Sequence, residues 1–141
     1  MRGSRERSSA MRKLSKAPVL ASFLRSSARF AEILKAPRTL ANRDSAIKRF
    51  ELTFELAWKS VKERLESQGI VARSPRECLE EALSLGILSD DPRWLRMLDD
   101  RNLSVHTYNE KLAAEIYGRL KSYRPLFEGL SKALLGRLPP R

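Results

Sequence analysis

Residues 99–108, Asp99-Asp100-Arg101-Asn102-Leu103-Ser104-Val105-His106-Thr107-Tyr108, gather the side chains best suited to chemistry. His106 is the only histidine of the chain. An imidazole, with an ordinary pKa of about 6.5, can take or give a proton near neutral pH. Arg101 can hold a phosphate through two parallel hydrogen bonds, and Asn102 can orient the imidazole or a ligand. Asp99, Asn102 and His106 follow at three- and four-residue steps, so they share one face for as long as a helix lasts. Arg101, Val105 and Tyr108 fall on a neighbouring face. The pattern Arg-x-x-x-x-His-x-Tyr suits RNA cleavage without a metal. His106 would move a proton, from the ribose 2′-hydroxyl or to the leaving oxygen, and Arg101 would stabilise charge on the phosphate. One histidine is half of an acid/base pair, and a homodimer with both motifs at its two-fold axis supplies the second half. A lone surface histidine near a helix end is the plainer alternative. The full pattern, with Asn102 directly after Arg101, argues against it.

Composition narrows the rest. The 141 residues fit one compact domain; 42% are hydrophobic and 32% charged. The net charge of +11 favours a polyanionic partner. Cys78 is the only cysteine, so no internal disulfide forms and a reducing, cytoplasmic compartment is expected. Cys78 has no histidine near it in sequence and reads as a small core residue rather than a nucleophile. No apolar run approaches the roughly 18 residues of a membrane span. One histidine and one cysteine cannot build a zinc-type site, and there is no phosphate-cradling glycine loop or dinucleotide fingerprint. No metal and no cofactor are expected. The pairs Asp90-Asp91 and Asp99-Asp100 read as helix-terminus and surface carboxylates, and Trp58 and Trp94 as core residues.

The elements that position the motif are helical. Residues 1–18 carry six basic side chains against Glu6 and read as a disordered extension outside the fold, with Met11 a plausible start. Residues 19–136 form the bundle, and 137–141 are a short tail. Leu20, Phe23, Leu24, Ala31 and Leu34 make the stripe of a first helix over about 18–35, opened by Pro18 and closed before Pro37. A long second helix spans about 43–68, with Ile47, Phe50, Phe54, Ala57, Trp58, Val61 and Leu65 on its stripe and Gly69 as its stop. Glu51, Glu55, Lys59, Lys62 and Glu63 lie mostly off that stripe and read as a solvated face. Ser74-Pro75-Arg76-Glu77 is a capping box that starts a third helix ending at Gly86. Asp91-Pro92 starts a fourth helix, which carries Trp94, Leu95, Leu98 and the motif. Thr107-Tyr108-Asn109-Glu110 fits a second capping box, with Thr107 as cap and Tyr108 at the first position of a fifth helix to about Leu135. Pro125 should kink that helix. His106 would then precede a helix N-terminus, where free N–H groups favour a phosphate. Nothing alternates at period two. The expectation is an all-α, up-and-down bundle of about five helices with a four-helix core.

Three stretches resemble one family. Arg101-Asn102-Leu103-Ser104-Val105-His106-Thr107-Tyr108 looks like the Arg-x4-His-x-Tyr motif of HEPN domains, in the subgroup of nucleotidyltransferase substrate-binding proteins. Residues 49–59, Arg49-Phe50-Glu51-Leu52-Thr53-Phe54-Glu55-Leu56-Ala57-Trp58-Lys59, and the Ser74-Pro75-Arg76-Glu77 box resemble the same subgroup. The resemblance runs from about Val19 to Leu135. It implies a dimerising helical bundle with the motif at the dimer cleft and a toxin-like ribonuclease role for Arg101 and His106. It also implies a partner minimal nucleotidyltransferase, the antitoxin, that adds AMP to Tyr108. Asn102 and Asp99 are supporting residues in this scheme. The chain is not itself the transferase, because it lacks that enzyme's Gly-Ser and Asp-x-Asp pattern. One alternative is a non-catalytic adapter that holds substrate for the transferase. Another is a basic helical protein that binds nucleic acid without specificity.

Overall fold

Local chain chemistry sets the ends of the helices. The computed structural model describes residues 11–12, 14 and 16–137, so most of the basic segment 1–18 and of the tail 137–141 lies outside the described residues. The helices are α1 (Pro18–Leu34), α2 (Leu40–Ser67), α3 (Pro75–Ser84), α4 (Arg93–Leu103) and α5 (Glu110–Lys132). A single 3₁₀ turn, Ser104–His106, links α4 to α5, and a wider turn, Ala133–Arg137, closes the chain. No strand occurs among the described residues. No helix among them is long and apolar enough to cross a membrane.

Thr39 caps α2 by accepting the Asn42 N–H at 3.1 Å, which starts this helix about one turn earlier than its apolar stripe does. Gly69, at φ +78°, ends it. The Gly69 and Ile70 N–H groups return to the Glu66 and Leu65 carbonyls at 3.0 and 2.9 Å, the paired closure that a left-handed residue permits. Ser74 caps α3 as the capping box predicts, accepting from Glu77 N–H at 3.1 Å. The Glu77 carboxylate, however, reaches back to Arg73 N–H at 2.8 Å, one residue before the cap.

The start of α5 departs from the sequence expectation. Its cap is Asn109, whose side chain accepts the Leu112 N–H at 3.1 Å, and Tyr108 lies outside the helix. The Thr107 hydroxyl instead donates back to the Ser104 carbonyl at 3.0 Å, within the 3₁₀ turn. Asparagine is also the stronger cap of the two. Pro125 lies within α5 without ending it.

α2 is the central element and packs against all four other helices. It pairs most extensively with α1, and α5 lies across both. The core is aromatic where these helices meet. Phe127 of α5 makes edge contacts with Phe23, Phe30 and Trp94, at centroid distances of 6.0, 5.6 and 6.1 Å. Tyr123, one turn earlier, stacks on Phe50 of α2 at 5.5 Å. Between α1 and α2 the buried hydroxyls of Ser26 and Thr53 bond at 2.8 Å. Trp94 and Cys78 are buried as expected, whereas Trp58 is only half-buried and Leu52 is exposed.

Phe127 ties α1, α2 and α4 to α5, so Phe127→Ala should cost about 3–5 kcal/mol, measured as a lowered free energy of unfolding in urea.

Candidate active site

Position in the chain separates the motif into two pairs. Arg101 lies in the last turn of α4, with its side chain about one-third exposed. Its Nη2 donates to Glu55 Oε2 of α2 at 2.6 Å, and its Nη1 to Asn102 Oδ1 at 3.2 Å. His106 ends the 3₁₀ turn, and its Nδ1 lies 3.2 Å from the Tyr108 hydroxyl, the two rings meeting edge to face. Asn102, His106 and Tyr108 are exposed, Tyr108 to 81%. Asp99 is exposed too and takes part in neither pair. Among the described residues no hydrogen bond joins the Arg101 pair to the His106 pair. The common helical face expected for Asp99, Asn102 and His106 does not continue to His106, because α4 ends at Leu103.

Glu55 corrects the expectation of a solvated face on α2. Its carboxylate receives Arg101, the Trp58 indole N–H at 3.2 Å and the Lys59 ammonium at 3.2 Å. Burial pushes this carboxyl up. The hydrogen bonds from Trp58 and Lys59 and the charge of Arg101 outweigh burial and hold it below the ordinary carboxylate range. Trp58 thus belongs to the rim of the site as well as to the α2 stripe. Periodicity could not reveal this, since Glu55 is defined by a partner 46 residues away.

Asp100 is a second correction. It is 2% exposed and is not a surface carboxylate. Arg119 of α5 grips it with two bonds of 2.9 and 2.7 Å, and the Tyr123 hydroxyl donates to it at 2.5 Å. The available signal was spacing: Met97, Asp100 and Ser104 are all buried, at three- and four-residue steps. Burial, then the bond to Asp100, pushes the Tyr123 phenol well above its ordinary range. The bond to Asp100 also raises Arg119 above its ordinary range. This cluster holds the end of α4 against α5 directly before the turn that carries His106. A similar clamp holds the start of α5, where Arg43 of α2 bonds Glu110 at 2.8 Å. Among the described residues no three His, Cys, Asp or Glu side chains are grouped to hold a metal.

Comparison with known proteins gives this geometry its family. Residues 9–135 match the family model described as "Nucleotidyltransferase substrate binding protein like". The chain belongs to this HEPN-like, nucleotidyltransferase substrate-binding family. A solved structure from Thermus thermophilus matches with a TM-score of 0.73 and 38% identity, over 84% of this chain and 99% of that one. A Haemophilus influenzae structure, described as revealing the fold of a substrate-binding domain of a nucleotidyltransferase, matches with a TM-score of 0.63. At 21% identity, over 86% of this chain and 98% of that one, it shares the fold. A curated Haemophilus influenzae protein named "Probable ribonuclease HepT" is 31% identical over 83 residues, 55% of this chain. The match spans 57% of that relative's length. Family membership agrees with the helical bundle.

Tyr123→Phe tests the buried cluster. At pH 7 the variant should lose about 1.5–3 kcal/mol, the range for a bond to a charged acceptor. A phenol whose pKa is raised in the fold contributes stability that is complete below the unfolded value of about 10 and declines as pH rises above it. The gap between wild type and Tyr123→Phe, measured by urea midpoints, should therefore narrow above about pH 10.

Proposed function

We propose that this chain is a HEPN-type, metal-independent ribonuclease toxin that acts as a homodimer. A partner minimal nucleotidyltransferase neutralises it by adding AMP to Tyr108. The observation that carries this reading is the exposed His106 ring. Its Nδ1 is held by the Tyr108 hydroxyl, which leaves Nε2 for a substrate. In the reaction the ribose 2′-oxygen attacks the adjacent phosphorus as the bond to the 5′-oxygen breaks. The products are a 2′,3′-cyclic phosphate and a 5′-hydroxyl. One His106 takes the 2′-hydroxyl proton and the His106 of a second copy gives a proton to the leaving oxygen, which is why the dimer is part of the mechanism. Arg101 has five N–H donors, and Glu55 and Asn102 engage two of them. The others are available to the phosphate, while Glu55 fixes the guanidinium plane.

The site predicts a specific loss. His106→Ala should lower RNA cleavage by about 10²–10⁴-fold without changing thermal stability, because the ring is exposed. Arg101→Ala should act in the same direction, and wild-type activity should persist in EDTA. Light scattering at micromolar concentration should give a dimer. Cleavage by a strict monomer, or a requirement for magnesium, would contradict the composite site.

Regulation follows from the position of Tyr108. The phenol is 81% exposed, so a partner enzyme can reach it. AMP on its oxygen adds negative charge and bulk beside the phosphate site and removes the hydroxyl proton that can bond His106. The adapter reading is supported by the family's description and by the Glu55 partner already on Arg101. In it, the same surface binds without cutting. Intact-mass measurement after incubation with the cognate nucleotidyltransferase and ATP separates the two. The toxin reading expects an AMP on Tyr108, no such mass gain in Tyr108→Phe, and loss of cleavage in the modified protein. An unmodified wild type puts the adapter ahead.

A further inference from the structure

The face of α5 that starts at Glu110 continues through Tyr117, Lys121 and Arg124, at steps of seven, four and three residues. The turn between α1 and α2 brings Lys35 and Arg38 beside it. Together they line a groove of about 660 Å³ with no carboxylate in its walls. A second concavity, of about 330 Å³, meets the first at Ala36 and adds Arg29 and Arg49, with Glu32 as its one acidic side chain. Arg43, Arg93, Arg101 and Arg119 each bind a carboxylate. Arg29, Lys35, Arg38, Arg49 and Lys121 have no ion-pair partner among the described residues, and only Arg124 is paired, with Glu128 at 3.0 Å. The Arg38 guanidinium lies over the Tyr117 ring at 5.0 Å, a stack that fixes its plane and leaves its in-plane donors open.

We propose that these joined grooves bind the phosphate backbone of a single-stranded RNA, as a site separate from Arg101 and His106. The proposal rests on the RNA-cleaving reading above and names where the rest of the strand lies. Unpaired cations lining two concavities that share Ala36 suit a polymer of spaced phosphates better than one small anion, and an aromatic ring among them is the usual companion of single-stranded binding. The first groove also shares its α5 face with Glu110, two residues after Tyr108. From Glu110 to Arg124 that face rises about 21 Å, at ~1.5 Å per residue, so one strand can follow it away from the His106 turn.

Fluorescence anisotropy of the full chain with a labelled 2′-O-methyl RNA of about 12 nucleotides tests this, since that probe cannot be cut through its 2′-oxygen. Lys35→Ala/Lys121→Ala should bind roughly tenfold more weakly. Its slope of log affinity against log salt should be shallower by about 1.4, near 0.7 for each lost phosphate contact on a single strand. Lys48→Ala/Lys132→Ala removes the same charge outside the grooves and should bind within about twofold of wild type. Equal loss in the control pair, unchanged binding in the groove pair, or no binding by wild type would overturn the proposal. A wild type that binds through the grooves yet cleaves no natural RNA would support them and overturn the catalytic reading instead.

Discussion

The buried Asp100 carboxylate is the constraint on which the site depends. A charge 2% exposed is costly unless it is fully bonded. Here Arg119 and Tyr123 supply three bonds from one helix. Those bonds define the depth and rotation at which α4 meets α5, and Phe50, stacked on Tyr123, carries the same constraint into α2. The short turn between α4 and α5 is thereby closed from both sides, by the Asp100 cluster before it and the Arg43–Glu110 pair after it. A rigid frame of this kind lets an exposed histidine sit on a connection and still have a defined position.

Exposure and restraint are combined differently in the two pairs of the candidate site. Arg101 is restrained by charge, through a Glu55 carboxylate that is itself kept ionised by Trp58 and Lys59. His106 is restrained by one phenol on its own turn. The charge that α2 presents to Arg101 is local, and the wider surface remains strongly basic. Long-range attraction for a polyanion is therefore compatible with a guanidinium aimed by a short-range partner.

The helical bundle was legible because apolar spacing reports burial directly. The stripes on α1, α2 and α5, the Ser74 capping box and the glycine stops all rely on contacts within a turn or two of chain. Such signals weaken where several local solutions compete. Thr107 and Asn109 are both acceptable caps; Asn109, the stronger of the two, caps α5, and the Thr107 hydroxyl bonds within the 3₁₀ turn. That choice left Tyr108 on the turn, free to reach His106, where a helical first position was expected.

By itself the sequence determined the all-α class, the approximate extent of each helix, the family and the residues of the motif, all of which depend on residue type and near spacing. The tertiary structure alone decided which carboxylates matter. Asp99 and Asp100 are adjacent in the chain, yet one is exposed and the other is a buried anchor, because Arg119 and Tyr123 arrive beside only one of them. Glu55 looks like any surface glutamate of α2 until α4 brings Arg101 to it. A side chain's charge is written in the sequence, but its partner is set by how distant helices pack, and no local pattern encodes that distance.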